Sequence, residues 1–237
     1  SRSRRRGGPG GSRFGGGSKS RVWDIQNSAE WMPPLRHQAK INSVNYSPDG
    51  RQVVLGSADG RVRIWNVADG LPVGEALPHK GEVVAAEFSA DGLHLLTAEA
   101  EGLVRLWKLP LSGEIALTVN CDRWLTAVQF SPAGKRVLLA NSRGRFQVWS
   151  LPEAKPMFEK DLQRKIEWAE FDATGDRLLT VSDAVRIWNA HTGELISDGI
   201  GHFERITAAH FDPTGKTVVT YSAEQSQLWN LETGEPL

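Results

Sequence analysis

Three stretches of this chain repeat one line at a fixed interval: SPDGRQVVLGSADGRVRIW at 47–65, SADGLHLLTAEAEGLVRLW at 89–107 and SPAGKRVLLANSRGRFQVW at 131–149. Tryptophans at 23, 65, 107, 149, 188 and 229 follow each other by 42, 42, 42, 39 and 41 residues. Tyr46, Phe88, Phe130, Phe171 and Phe211 keep the same beat. A period of this length marks one supersecondary unit that is stacked on copies of itself. The unit reads as strands. INSVNY alternates and ends in the turn SPDG, where Pro fixes φ and Gly tolerates a positive one. RQVVLGS follows, then the Asp-Gly hairpin signal ADG, then RVRIWNV with charged and apolar residues alternating. No helical periodicity extends far enough to compete. Four short antiparallel strands per repeat make the blade of an all-β propeller, which buries its faces only against neighbouring blades.

Counting from this pattern, five four-stranded blades have inner strands that start near Lys40, Glu82, Trp124, Lys165 and Arg205, and residues 21–35 supply the outer half of an earlier blade. The half blade and the close on TGEPL, in mid-repeat, give the expectation of a fragment of a six- to eight-bladed propeller. Two segments are expected: a basic Gly/Arg/Ser-rich flexible segment at 1–20, and blades over 21–237.

The chain resembles the WD-repeat family over 22–237, in the style of the tandem WD repeats of multidomain bacterial proteins. The signature dipeptide stands complete at Trp23-Asp24 and is Trp-Asn at 65, 188 and 229, Trp-Lys at 107 and Trp-Ser at 149. The Gly-His dipeptide is whole at Gly201-His202, with His37 and His79 in the same place. The resemblance implies a hydrogen-bonded set in each blade, because a buried indole N–H and an imidazole need partners. By position these are His79, Thr97, Glu101 and Trp107, and again His202, Thr220, Glu224 and Trp229. His37, Asp59 and Trp65 lack the hydroxyl, since Leu55 holds its place, and Cys121 and Leu162 replace the histidine in the third and fourth copies.

The chemistry-bearing residues point away from catalysis. Histidines that recur in phase are structural in character, and HExxH, paired CxxC and i, i+4 histidine pairs are lacking, so no metal or cofactor is expected. The lone Cys121 has Asp122 beside it, which disfavours a thiolate. GGGSKS at 15–20 lacks the Gly-Lys-Ser/Thr order of a phosphate loop and precedes a strand. No apolar run is long enough to span a membrane, and a cytoplasmic location is expected.

The expected function is therefore a non-catalytic scaffold that binds a protein partner through rim loops on a rigid frame. The in-phase rim residues are Lys40, Glu82, Trp124, Lys165 and Arg205, which include the Trp and Arg typical of interface hot spots. Trp168 also stands out, because its counterparts are Ser43, Ala85, Ala127 and Ala208. The alternative is an RNA-binding protein. Residues 1–21 hold seven basic side chains and no acidic one, whereas the rest carries 21 basic against 28 acidic, so RNA contact would fall to residues 1–20.

Overall fold

A computed structural model describes residues 19–24, 26–31, 34–110, 113–122, 124–151, 153–200 and 205–237. All of its regular elements are strands, in consecutive antiparallel meanders. Blade 1 holds Ile41–Tyr46, Gln52–Ser57, Arg61–Asn66 and Leu77–Pro78; blade 2 holds Val83–Phe88, His94–Glu99, Leu103–Lys108 and Ile115–Asn120. Blade 3 holds Leu125–Phe130, Arg136–Asn141, Arg145–Ser150 and Lys155–Asp161; blade 4 holds Trp168–Phe171, Arg177–Val181, Val185–Asn189 and Leu195–Ile200. Blade 5 departs from the expected four strands. It has three, Ala208–Phe211, Thr217–Tyr221 and Ser226–Asn230, and its outer edge is reduced to a single bridge between Trp229 and Pro236. Ahead of blade 1, Lys19–Ser20 pairs with Leu35–Arg36 and Trp23–Asp24 with Ala29–Glu30, the outer half of one more blade. No helix among the described residues is long and apolar enough to cross a membrane.

The blades have no common core. Each seam between neighbours has its own. Along the second strand of each blade, consecutive side chains point to opposite seams, as the two-residue strand period requires. Leu95 packs toward blade 1 with Val54, Ile64 and Phe88, while Leu96 packs toward blade 3 with Phe130, Val137 and Leu139. Leu138 faces blade 4 with Ile166 and Trp188, and Leu179 faces blade 5 with Ile206 and Val218. That double burial is why these strands read as unbroken apolar runs. The hairpin glycines are held by the same close approach. A Cβ on Gly60, at φ +71°, would stand 2.9 Å from the His79 carbonyl oxygen, so the outer strand could not return beside the turn.

Polar clasps reinforce each of the four seams from blade 1 to blade 5 at one inner-strand position. Asn45 Nδ2 donates to the Ala86 carbonyl at 2.8 Å, Gln129 Nε2 to Ala169 at 3.0 Å, and Glu170 Oε1 accepts the Phe211 N–H at 3.0 Å. Glu87 meets the Phe130 N–H in the same way. Its burial pushes the carboxyl from 4.5 up to about 7, against the opposing pull of that N–H.

Among the described residues, no inner half blade covers either terminal face. Tyr46 is 52% exposed where its counterpart Phe130 is 6%, and Leu228 is 41% exposed where Ile187 is 1%. Phe130→Ala should therefore cost about 3–5 kcal/mol in urea unfolding, whereas Tyr46→Ala should cost less than about 1 kcal/mol. Similar losses at both would contradict the seam assignment.

Glu87 gives a pH-dependent expectation. The folded chain holds this proton more tightly than the unfolded one, so its contribution is full below 4.5 and is lost as pH rises through about 7. Glu87→Gln removes that loss. The variant should exceed the unmodified chain by about 1–3 kcal/mol at pH 8.5 and show little difference near pH 4.5. His37 and His79, which burial pushes below 6.5, act in the opposite sense and cancel in this comparison.

Candidate functional site

Each rim residue precedes the inner strand of its blade, and all five side chains are exposed. The first three are fixed by one recurring bond. The Ala58, Ala100 and Ser142 N–H groups donate to the carbonyls of Lys40, Glu82 and Trp124 at 2.8, 2.8 and 2.9 Å, tying each to the hairpin turn of its own blade. Glu82 Oε1 accepts Asn42 Nδ2 of blade 1 at 2.8 Å. Lys165 Nζ lies 2.8 Å from Glu167 Oε2, and Arg205 Nη2 bonds Glu167 Oε1. Desolvation pulls the Glu167 carboxyl up, but hydrogen bonds from Lys165 and Arg205 outweigh it and hold the group below its ordinary range. Two rim cations thus share one anion.

Trp124 is the outlier of the rim. It is 58% exposed and sits at φ +64°. For a bulky residue that conformation is unfavourable, and such strain concentrates at ligand-contacting sites. The Arg143 guanidinium lies 5.2 Å from its ring centroid. Beside it opens a cavity of about 380 Å³ whose walls include Val84, Ala100, Leu125 and Lys165. The adjoining cavity, about 360 Å³, has Lys165, Glu167 and Arg205 in its wall. Trp124, Lys165 and Arg205 therefore form one run of surface across blades 3, 4 and 5. Trp168 lies at the inner strand and is tied down, its Nε1 donating to Glu170 Oε2 at 3.1 Å with the His210 ring 5.1 Å away, edge-on.

Inside the blades, Thr97 Oγ1 of blade 2 stands 2.9 Å from both His79 Nε2 and Trp107 Nε1. Glu99, nearby and buried, acts on His79 through its charge. Glu99 pairs with Arg105 and accepts the Gly81 N–H at 3.0 Å. In blade 5 the Trp229 N–H donates to Thr220 Oγ1 at 2.8 Å, and in blade 4 the Trp188 N–H donates to Thr180 Oγ1 at 2.9 Å. His202 lies outside the described residues.

The substituted blades show what the hydroxyl does. In blade 1, with Leu55 in its place, His37 Nε2 and Trp65 Nε1 are both buried without a hydrogen-bond partner. These are the same two atoms that meet at Thr97 in blade 2. Blade 3 solves the problem from the adjacent strand. Leu139 is paired with Gln147, whose Oε1 accepts the Trp149 N–H at 2.9 Å and lies 3.8 Å from Cys121 Sγ. Burial pushes the Cys121 thiol up to about 12, with Asp122 and Glu159 adding to it, so the group is a packed thiol and a poor nucleophile. Among the described residues no cluster of three or more His, Cys, Asp or Glu could hold a metal ion.

Seam-packed four-stranded meanders, with a Thr–Trp bond in blades 2, 4 and 5, define a β-propeller of the WD type. Residues 35–66 and 72–108 match the model of the WD domain, G-beta repeat. Eukaryotic translation initiation factor 3 subunit I of Rattus norvegicus and that of Homo sapiens are each 33% identical to it over 86 residues, 35% of this chain and 26% of the relative. The match therefore spans about a quarter of the length of these curated relatives. The computationally designed Ika8 protein shares the fold, with a TM-score of 0.80 and 24% identity over 92% of this chain and 66% of the designed one.

Thr97→Val keeps the side-chain shape and leaves the Trp107 N–H unpaired, which should cost about 1–3 kcal/mol. The reverse change separates polar from apolar loss. Leu55→Thr supplies a partner to His37 and Trp65 and should stay within about 1 kcal/mol of the unmodified chain. Leu139→Thr supplies nothing that Gln147 does not already give, and should cost about 2 kcal/mol or more. Equal costs at positions 55 and 139 in urea unfolding would overturn this account.

Proposed function

We propose that the chain is a non-catalytic interaction scaffold and that it docks a protein partner on the rim run of Trp124, Lys165 and Arg205. The observation that carries this reading is Trp124: a large indole held exposed in an unfavourable backbone conformation, next to a cavity. Folding gains little from a ring that stays wet, and an interface that covers it recovers the burial. Lys40 and Glu82 extend the same rim toward blade 1. Because Lys165 and Arg205 share Glu167, the surface adds only a modest positive bias, enough to favour an acidic border around an apolar anchor. The relatives named above are subunits of a multi-protein factor, which agrees with a role inside an assembly. The RNA-binding alternative rests on residues 1–20, nearly all outside the described residues.

The test begins with capture of partners from the source organism, followed by affinity measurement on the purified pair. Trp124→Ala should weaken binding by about 30-fold, the loss of a buried anchor worth about 2 kcal/mol. Arg205→Glu should weaken it further at low salt than at high salt. Deleting residues 1–20 should leave protein binding intact. Undiminished affinity in both substituted chains, with folding confirmed, would place the surface elsewhere.

A further inference from the structure

The four blade–blade seams allow one repeat position to be compared with itself. Six residues beyond the inner-strand aromatic, blade 3 carries Arg136, whose guanidinium lies 5.9 Å from the Phe171 ring centroid of blade 4 and donates to the Ala190 carbonyl at 3.2 Å. Blade 4 carries Arg177, 5.5 Å from the Phe211 centroid of blade 5. It donates to the Gly215 carbonyl at 2.7 Å and to Asp172 Oδ2 at 3.0 Å. Each arginine therefore seals the edge of its seam through an aromatic face and a backbone carbonyl of the next blade. Blade 2 has His94 at this position, with Nδ1 buried and without a hydrogen-bond partner. Blade 1 has Gln52, and there the seam is open.

The opening is a cavity of about 380 Å³ between blades 1 and 2, with Gln52 and Phe88 in its wall. Phe88 is the counterpart of Phe171 and Phe211. Gly92 and Leu109, also in the wall, are the counterparts of Gly215 and Ala190, the two residues whose carbonyls hold the arginines elsewhere. Ile64 and Val73 line the apolar side, and two carboxylates, Asp49 and Asp91, stand at the edge. Arg51 is the neighbouring cation, 4.0 Å from Asp49 with its side chain 85% exposed, and it is not part of the wall.

We propose that this cavity is the receptor for an arginine side chain of a protein partner, which fills the place that Arg136 and Arg177 fill at later seams. The chemistry is that of the filled seams: a ring face for the planar cation, carbonyls for its N–H groups, and carboxylates for its charge. Arginine fits better than lysine, because stacking and a fork of donors are both used. The site lies at the end of the inner strands opposite to the rim, about 20 Å away along a six-residue strand. It therefore stands or falls independently of the rim reading.

The test is an NMR titration of the isotopically labelled full chain with a blocked Gly-Arg-Gly tripeptide, observing the backbone amides of Gly92, Leu93 and Leu109. Saturable shifts are expected there, at least about tenfold weaker with the citrulline tripeptide, which keeps the shape and loses the charge. Gln52→Arg supplies the guanidinium from within, and should abolish the response and raise the melting temperature. Asp91→Asn, at an exposed turn, should weaken binding about threefold or more. No saturable response, an equal response to citrulline, an unchanged response in folded Gln52→Arg, or an unchanged affinity in Asp91→Asn would each overturn the proposal.

Discussion

Everything in this molecule depends on blades burying apolar faces against one another. A single meander of four short strands has two apolar faces and cannot cover either alone. The second strand of each blade sends alternate side chains into the seams on either side, and five separate clusters replace a central core. The polar clasps follow from the same geometry. Once two inner strands lie side by side, their backbones face away from their own partners at the edge. A side chain from the neighbour is the nearest group able to satisfy them. Amides and carboxylates serve equally, so the position varies in identity among Asn45, Glu87, Gln129 and Glu170 while the contact is kept.

The frame was legible in the sequence because its determinants are local. Trp-to-Trp intervals, Asp-Gly turns and alternating strands each lie within one repeat, and inner strands begin one to three residues after the positions expected. What escaped was pairing across strands and seams. Reading down the repeat, Leu139 removes a hydroxyl; reading across the ladder, Gln147 restores an acceptor. Glu99 meets Arg105 across the hairpin, a pairing between neighbouring strands that the order of residues along one strand does not show. The shared use of Glu167 by Lys165 and Arg205 was equally hidden, since the two cations stand forty residues apart. In blade 5 the outer edge within this sequence is the single Trp229–Pro236 bridge.

The seam position occupied by Gln52, His94, Arg136 and Arg177 shows how a repeat protein acquires individuality. The scaffold carries Gln, His and Arg there over apolar clusters that hold the blades together. Where the arginine is absent, between blades 1 and 2, a cavity stands in its place. The same logic runs through the blade interior, where one hydroxyl, one glutamine or no polar group at all accompanies an unchanged fold.

The clasps also bear on how the chain emerges during synthesis. They join residues 40 or 41 positions apart, Asn45 with Ala86, Gln129 with Ala169 and Glu170 with Phe211. A blade can therefore dock on its predecessor as soon as one further repeat has left the ribosome. At roughly 5–20 residues per second, that is a delay of a few seconds per blade. Each newly translated repeat covers the apolar face left by the last, so the nascent chain shows its growing edge and the face of blade 1 to chaperones instead of an unfolded whole.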